Sequence, residues 1–200
     1  AAALQREAKR DAVRAYSEIG GPENAWPFFQ KFAGDFAPKM LEILADSYAG
    51  KRKFFDAIKV YHQLMSVNPD SPSLCAWQSS VVKASLQAQG RADQVTEVLR
   101  LGAVYAMMKS RSPASDNLLQ ECRAVAAGLL REWATSLHEE AQRTGNKEAY
   151  QLAEQPYHDY LDLFADETDS FDMRFYYAEL LFKLGELLGN GKYWARAAGA

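Results

Sequence analysis

The sequence is poor in the residues that most site chemistry needs. Only two of its 200 residues are cysteine and three are histidine. Cys75 and Cys122 are too few for a disulfide framework, which relies on several bridges. They read as two buried thiols in helical stripes. A bridge between neighbouring helices is the alternative, and it needs an oxidising compartment and Cα atoms within about 7 Å. His62, His138 and His158 have no second histidine or cysteine at metal-ligand spacing. His138-Glu139-Glu140 lacks the second histidine of a zinc-binding helix, so it reads as a solvated helix face. There is no glycine-rich phosphate loop and no nucleophile elbow. Gly189-Asn190-Gly191-Lys192 has no Ser or Thr after the lysine and follows a helical pattern, so it reads as a turn. The acids Asp166, Glu167 and Asp169 suit the start of a helix, where the dipole favours negative charge.

Charge of one sign is lacking too. Lys and Arg number 23 against 26 Asp and Glu, for a formal net charge of -3, and the two signs are mixed along the chain. A nucleic-acid footprint needs a clustered basic stripe. No apolar run reaches the length of a bilayer span. These shortages point away from a catalytic constellation, a cofactor, a metal site, a nucleic-acid partner and direct membrane insertion. The expectation is a protein that is not an enzyme. The chain opens at Ala1-Ala2-Ala3-Leu4 without an initiator methionine. It is expected to be a processed or excised piece, which leaves the compartment open.

What the chain does have is apolar residues at helical spacing. At 48% hydrophobic content, 200 residues can bury a core without metal or bridges. Leu41, Leu44, Ala45 and Tyr48 recur every three or four residues, and so do Phe54, Ala57, Ile58, Tyr61 and Leu64. Pro38 suits a first helical position, and Asn68-Pro69 ends the unit. The spacing predicts helix pairs over about 3–33, 38–67, 72–109, 115–164 and 170–200, the last cut short, within a single domain over 1–200. In the first helix Ala8, Ala12, Ala15 and Tyr16 are expected to face inward. Ser71-Pro72 is expected to start the fifth helix. Arg111-Ser112-Pro113 reads as the loosest linker. Gly128 lies in a stretch that is either one long helix or two with a kink, and Pro156 either kinks or restarts the next.

A repeat runs through the first half. Tyr16 and Tyr48, Ala25 and Ala57, and Phe29 and Tyr61 all stand 32 residues apart. Several positions in one register outweigh any single match. Leu41, Leu44, Ala45, Tyr48, Ala57, Tyr61, Leu64 and Pro69 resemble the tetratricopeptide repeat at its proper spacing, with Arg52 where the inter-helix turn usually has glycine. Gly20 holds that place in the upstream copy. The resemblance implies an all-α fold, a right-handed superhelix of antiparallel helix pairs. The stretches PENAWPFF, IKVYHQLM and the segment from Tyr150 to Gly185 further resemble tetratricopeptide-like envelope proteins of myxobacteria and relatives, some tied to gliding motility. That narrower likeness implies a scaffold in a multiprotein envelope or motility assembly, in the periplasm or at the cell envelope, with a cytoplasmic setting as the alternative. A peptide-binding regulatory module for a soluble partner is the alternative function.

In the resembled family first-helix residues line a concave protein-binding groove. By register these are Arg10, Arg14 and Ser17 in the first pair, and Glu42 and Asp46 in the second. A protein or peptide of matching charge would be steered to them. Two aromatic clusters stand out: Trp26, Phe28, Phe29, Phe32 and Phe36, and Phe171, Phe175, Tyr176, Tyr177 and Phe182. Most of them are expected in the core. Phe28 and Phe29 are adjacent, so one must point elsewhere, and a surplus aromatic is a normal binding anchor.

Overall fold

A computed structural model describes residues 2–113 and 116–199, with side chains from Glu7 onward. The expected boundaries at 1, 115 and 200 lie outside the described residues. Among the described residues all regular structure is helical. The helices gather into two compact units, Ala1–Gly90 and Arg91–Ala200.

The first unit holds α1 (Ala2–Ile19), α2 (Ala25–Ala33), α3 (Ala37–Gly50), α4 (Phe54–Val67) and α5 (Leu74–Ala88), with short 3-10 turns at Pro22–Asn24 and Gly34–Phe36. α1 and α2 both pack on α3, α3 packs along α4, and α4 receives α5. α2, α3, α4 and α5 thus lean on their neighbours in sequence, whereas α1 packs mainly on α3, so the pair expected over 3–33 is held together mainly through α3. The core is Met40, Leu41, Leu44, Ala45 and Tyr48 of α3 against Ala57, Val60, Tyr61 and Leu64 of α4. α5 starts at Leu74, two residues later than Ser71-Pro72 suggests, because the Ser71 hydroxyl instead accepts from the Ser73 N–H at 3.2 Å.

The six residues that share the 32-residue register, Tyr16 and Tyr48, Ala25 and Ala57, and Phe29 and Tyr61, are all buried. Tyr48 donates to the Gly20 carbonyl at 3.0 Å and Tyr16 to that of Gly21 at 2.8 Å. Both tyrosines thus tie down the same turn. Gly20 is needed there for space, since a Cβ on it would meet the Tyr16 ring at 2.5 Å. Arg52 takes φ +62° in the equivalent turn, the left-handed conformation a glycine would adopt without strain.

The inward face of α1 differs from expectation. Val13, Tyr16 and Ser17 are buried, whereas Ala8 and Ala15 are exposed and Ala12 is half-buried. Alanine fits either face of a helix, so a run of alanines marks the buried side poorly. Among the described residues Val13 and Tyr16 are the buried apolar ones of α1, which packs on α3.

The second unit holds α6 (Arg91–Arg111), α7 (Asn117–Thr144), α8 (Lys147–Leu163), α9 (Ser170–Leu188) and α10 (Gly191–Ala197). α7 and α8 form the central pair. α6 lies against both, α9 packs on α8, and α10 packs on α9. Gly102 of α6 is buried, and a Cβ there would press Leu130 and Leu163 at 3.2 and 3.3 Å, so the glycine sets how closely α6 approaches the pair.

α7 is one continuous helix through Gly128. Asp116 caps it by accepting from the Leu118 and Leu119 amides, and Gly145 ends it at φ +68°. Asn146 then caps α8 in the same way. α8 also runs unbroken through Pro156, which is buried. The cost of an interior proline, about 3 kcal/mol, is offset there by burial of Tyr150, Ala153, Tyr157 and Tyr160 on the same helix.

Two readings of single residues change. His138 is not on a solvated face. It is buried on α7, with Nδ1 3.3 Å from the Tyr157 hydroxyl and Nε2 3.3 Å from Nε2 of Gln142. Neither cysteine is a free thiol: Cys75 and Cys122 are both disulfide-bonded.

Candidate protein-interaction surfaces

The groove residues of the first unit are unequal. Arg10 and Arg14 are exposed on α1, and neither is held by a hydrogen bond or ion pair among the described residues. Ser17 is buried: it donates to the Arg14 carbonyl at 2.7 Å and accepts from Lys51 Nζ at 2.8 Å. Glu42 is engaged by Lys39 and by Trp77 Nε1, the latter at 3.1 Å. Asp46 accepts from the Tyr61 hydroxyl at 2.5 Å. Burial, followed by that hydrogen bond, pushes the Tyr61 phenol far above its ordinary value. The acidic residues thus join α3 to α4 and α5, while the basic ones face water.

The aromatic clusters depart most from the core expectation. Phe29 is fully buried and Trp26 half-buried, but Phe28 and Phe32 are exposed with their rings stacked 6.2 Å apart. On α9 only Tyr177 of the five is buried. Phe171 is 78% exposed, Phe175 64% and Phe182 55%.

Helical geometry explains α9. Met173, Tyr177, Leu180, Leu181 and Leu184 form its buried stripe toward α8. Phe171, Phe175, Ala178 and Phe182 form a second stripe on the opposite side, at spacings of four, three and four. A helix apolar on two sides needs a cover on both. The second stripe is where α10 arrives. Trp194 donates its Nε1–H to the Phe182 carbonyl at 3.3 Å and lies over Gly185, where a Cβ would be 2.3 Å away. Arg196 holds α10 down through Glu154 at 2.5 Å and the Tyr177 hydroxyl at 2.6 Å. Between α9 and α10 a cavity of about 500 Å³ stays open, lined by Phe175, Ala178, Glu179, Phe182, Trp194 and Ala197 with Ala198. Among the described residues its one ionisable wall group is Glu179.

A second, polar cleft of about 350 Å³ lies on α7, with Ala124, Ala127 and Gly128 among the residues that line it. Arg123 binds Asp166 at 2.8 Å and Glu167 at 2.9 Å, and Arg131 binds Asp169 at 2.6 Å. The acids before α9 are therefore paired rather than merely solvated. The hydrogen bond from Arg123 holds the Asp166 carboxyl below its ordinary range. Burial pushes the Asp169 carboxyl up, but hydrogen bonds from Arg131 and Tyr160 more than reverse it, so it too lies low. Burial and the bond to Asp169 raise Tyr160. These pairs pin the loop from α8 to α9 onto α7 and so position the aromatic stripe. Among the described residues no group of His, Cys, Asp and Glu is placed to hold a metal ion. No described helix is long and apolar enough to cross a membrane.

No protein-family model matches the chain. No curated protein matches it either. Among solved structures it is similar to a crystal structure of Podosopora anserina "putative kinesin light chain nearly identical TPR-like repeats". The two are 15% identical, the match covers 98% of this chain and 93% of that one, and the TM-score is 0.39. The all-helical fold assignment rests on the helix order and packing described above.

Proposed function

We propose that this chain is a non-enzymatic scaffold for protein–protein interaction within a multiprotein assembly. The observation that carries this reading is the α9 stripe, in which Phe171, Phe175 and Phe182 are exposed in one row and only partly met by α10. Contiguous exposed apolar patches of this kind mark interaction sites. A stack of helix pairs suits the role, because each added pair extends the surface without altering the others. The reading of residues 1–200 as one repeat domain belongs to this proposal, as does a place in a cell-envelope or motility assembly. The narrower sequence likeness supports that setting.

A second reading is favoured by Arg10 and Arg14, two exposed cations one helical turn apart. They suit an acidic peptide, which would make the chain a regulatory binding module for a soluble partner.

The test is quantitative capture from native envelope and cytosolic fractions with the unaltered chain, with F175A/F182A and with R10A/R14A. The scaffold reading expects one set of partners, enriched from the envelope fraction, to drop at least about tenfold with the phenylalanine pair and to persist with the arginine pair. Loss with the arginine pair alone would favour the peptide module. Partners unaffected by either pair would overturn both readings.

A further inference from the structure

We infer that the α9–α10 groove receives an amphipathic helix from another protein, one whose apolar stripe is flanked by lysine or arginine. This rests on the scaffold reading and names the kind of partner it takes.

Shape is the first ground. Phe171 to Phe182 spans eleven helical steps, about 17 Å. Phe175, Ala178 and Phe182 make one wall and Trp194, Ala197 and Ala198 the other. Ala178 between two phenylalanines leaves a dent for an inserted side chain. Such a trough between two packed helices accepts a third helix. The same unit gives a precedent, since α9 itself is seated on α8 through Met173, Tyr177, Leu180 and Leu184. An extended strand would leave its backbone N–H and C=O groups against phenylalanine rings without partners, whereas a helix satisfies its own.

Charge is the second ground. One edge of the stripe carries Asp172, Glu179 and Glu186, each seven residues from the next and each exposed. Glu186 is paired with Lys183 at 2.8 Å and Glu179 accepts from Gln142 at 3.2 Å, so Asp172 and Glu179 are the acids of this line without a cationic partner among the described residues. Seven residues is two helical turns, so these acids form a line beside the phenylalanines. Glu179 also reaches the cavity wall. The other edge is closed by α10, where Trp194 covers Gly185. A docking helix therefore meets apolar surface along its centre and acid along one flank, and cations there are attracted. The same line argues against a second copy of this chain in antiparallel pairing. A two-fold axis across the stripe sets each flank against the same flank of the other copy, which would bring acid against acid.

The probe is a fluorescein-labelled synthetic helical peptide of about 18 residues, long enough to span the stripe, with leucines at heptad core positions and lysines flanking them. A matched peptide carries glutamates in place of the lysines. Anisotropy titration of the full chain is expected to show the lysine peptide binding at least about tenfold tighter than the glutamate peptide. F175A/F182A is expected to weaken the lysine peptide about tenfold or more. Glu179→Lys is expected to narrow the preference between the peptides by roughly three- to fivefold. All three side chains are exposed, and circular dichroism checks that the variants stay folded.

If F175A/F182A leaves peptide binding unchanged, the groove is not the site and the scaffold reading falls with the inference. If F175A/F182A weakens both peptides but the two bind equally, or Glu179→Lys alters nothing, the basic-helix inference fails while the surface stands. A dimer of the chain alone in sedimentation, dissolved by F175A/F182A, would assign the groove to a second copy and overturn the inference.

Discussion

Arg52 shows how a residue can sit against its own preference. A non-glycine residue at positive φ costs about 1 kcal/mol or more. Its amide is held by the Ala49 carbonyl at 3.0 Å, so the turn is formed despite the strain. Arg52→Gly removes the strain but also loosens the unfolded chain, which takes back part of the gain. The expected net effect is about 0.5 kcal/mol of added stability, read from the urea midpoint at unchanged slope. His138 makes the opposite kind of statement. Burial lowers its pKa below the ordinary 6.5, with Glu179 and Glu139 pulling the other way. The unfolded chain therefore binds a proton more readily than the folded one. The neutral ring's contribution is complete above about pH 6.5 and declines as pH falls below that value. Thermal melts between pH 8 and pH 5 are expected to show a drop that His138→Gln reduces. A flat difference between the two proteins across that range would contradict the burial account.

Helix boundaries on α7 and α8 come from single capping residues. Asp116 and Asn146 each satisfy two amides that their helices leave unpaired, so replacing either with alanine is expected to cost about 1 kcal/mol in chemical denaturation. The loop before α9 adds an electrostatic condition. Asp169 is held low by Arg131 and Tyr160, so its support is present above the ordinary carboxylate pKa and is lost as pH falls through the depressed folded value. Arg131→Ala is expected to raise the pKa of Asp169 in a carboxylate NMR titration and to loosen amide protection at the start of α9.

Much at the element scale was legible beforehand: Pro22, Pro38, Gly145 and Gly189 punctuate the chain close to where helices begin or end. What was not legible is which side of α9 is covered. Its two stripes are both apolar and both periodic, and reading each as core is the natural inference from spacing. The available signal was their opposition, since 171, 175, 178 and 182 lie half a turn from 173, 177, 180 and 184 and one neighbouring pair cannot cover both sides. The groove set Arg10, Arg14, Ser17, Glu42 and Asp46 was found by register. Register places Cα positions, however, and the bonds from Lys51, Trp77 and Tyr61 that engage three of these residues arise only from packing.

At the scale of the whole molecule the proposed single repeat domain has a measurable consequence. Repeat stacks propagate stability from neighbour to neighbour. Under native conditions with low urea, core amides such as those of Leu44 and Leu137 are then expected to exchange through one common opening. Separate openings, one for Ala1–Gly90 and one for Arg91–Ala200, would mean that the two units fold as independent domains. The sequence by itself determined where the helices run and that a 32-residue unit recurs, because capping, proline and periodic spacing act over a few neighbouring residues. Only the tertiary structure decided which apolar faces are hidden, that Ser17 and His138 lie inside, and that the phenylalanines of α9 do not. Burial depends on which element arrives at a face, and no stretch of chain carries that information alone.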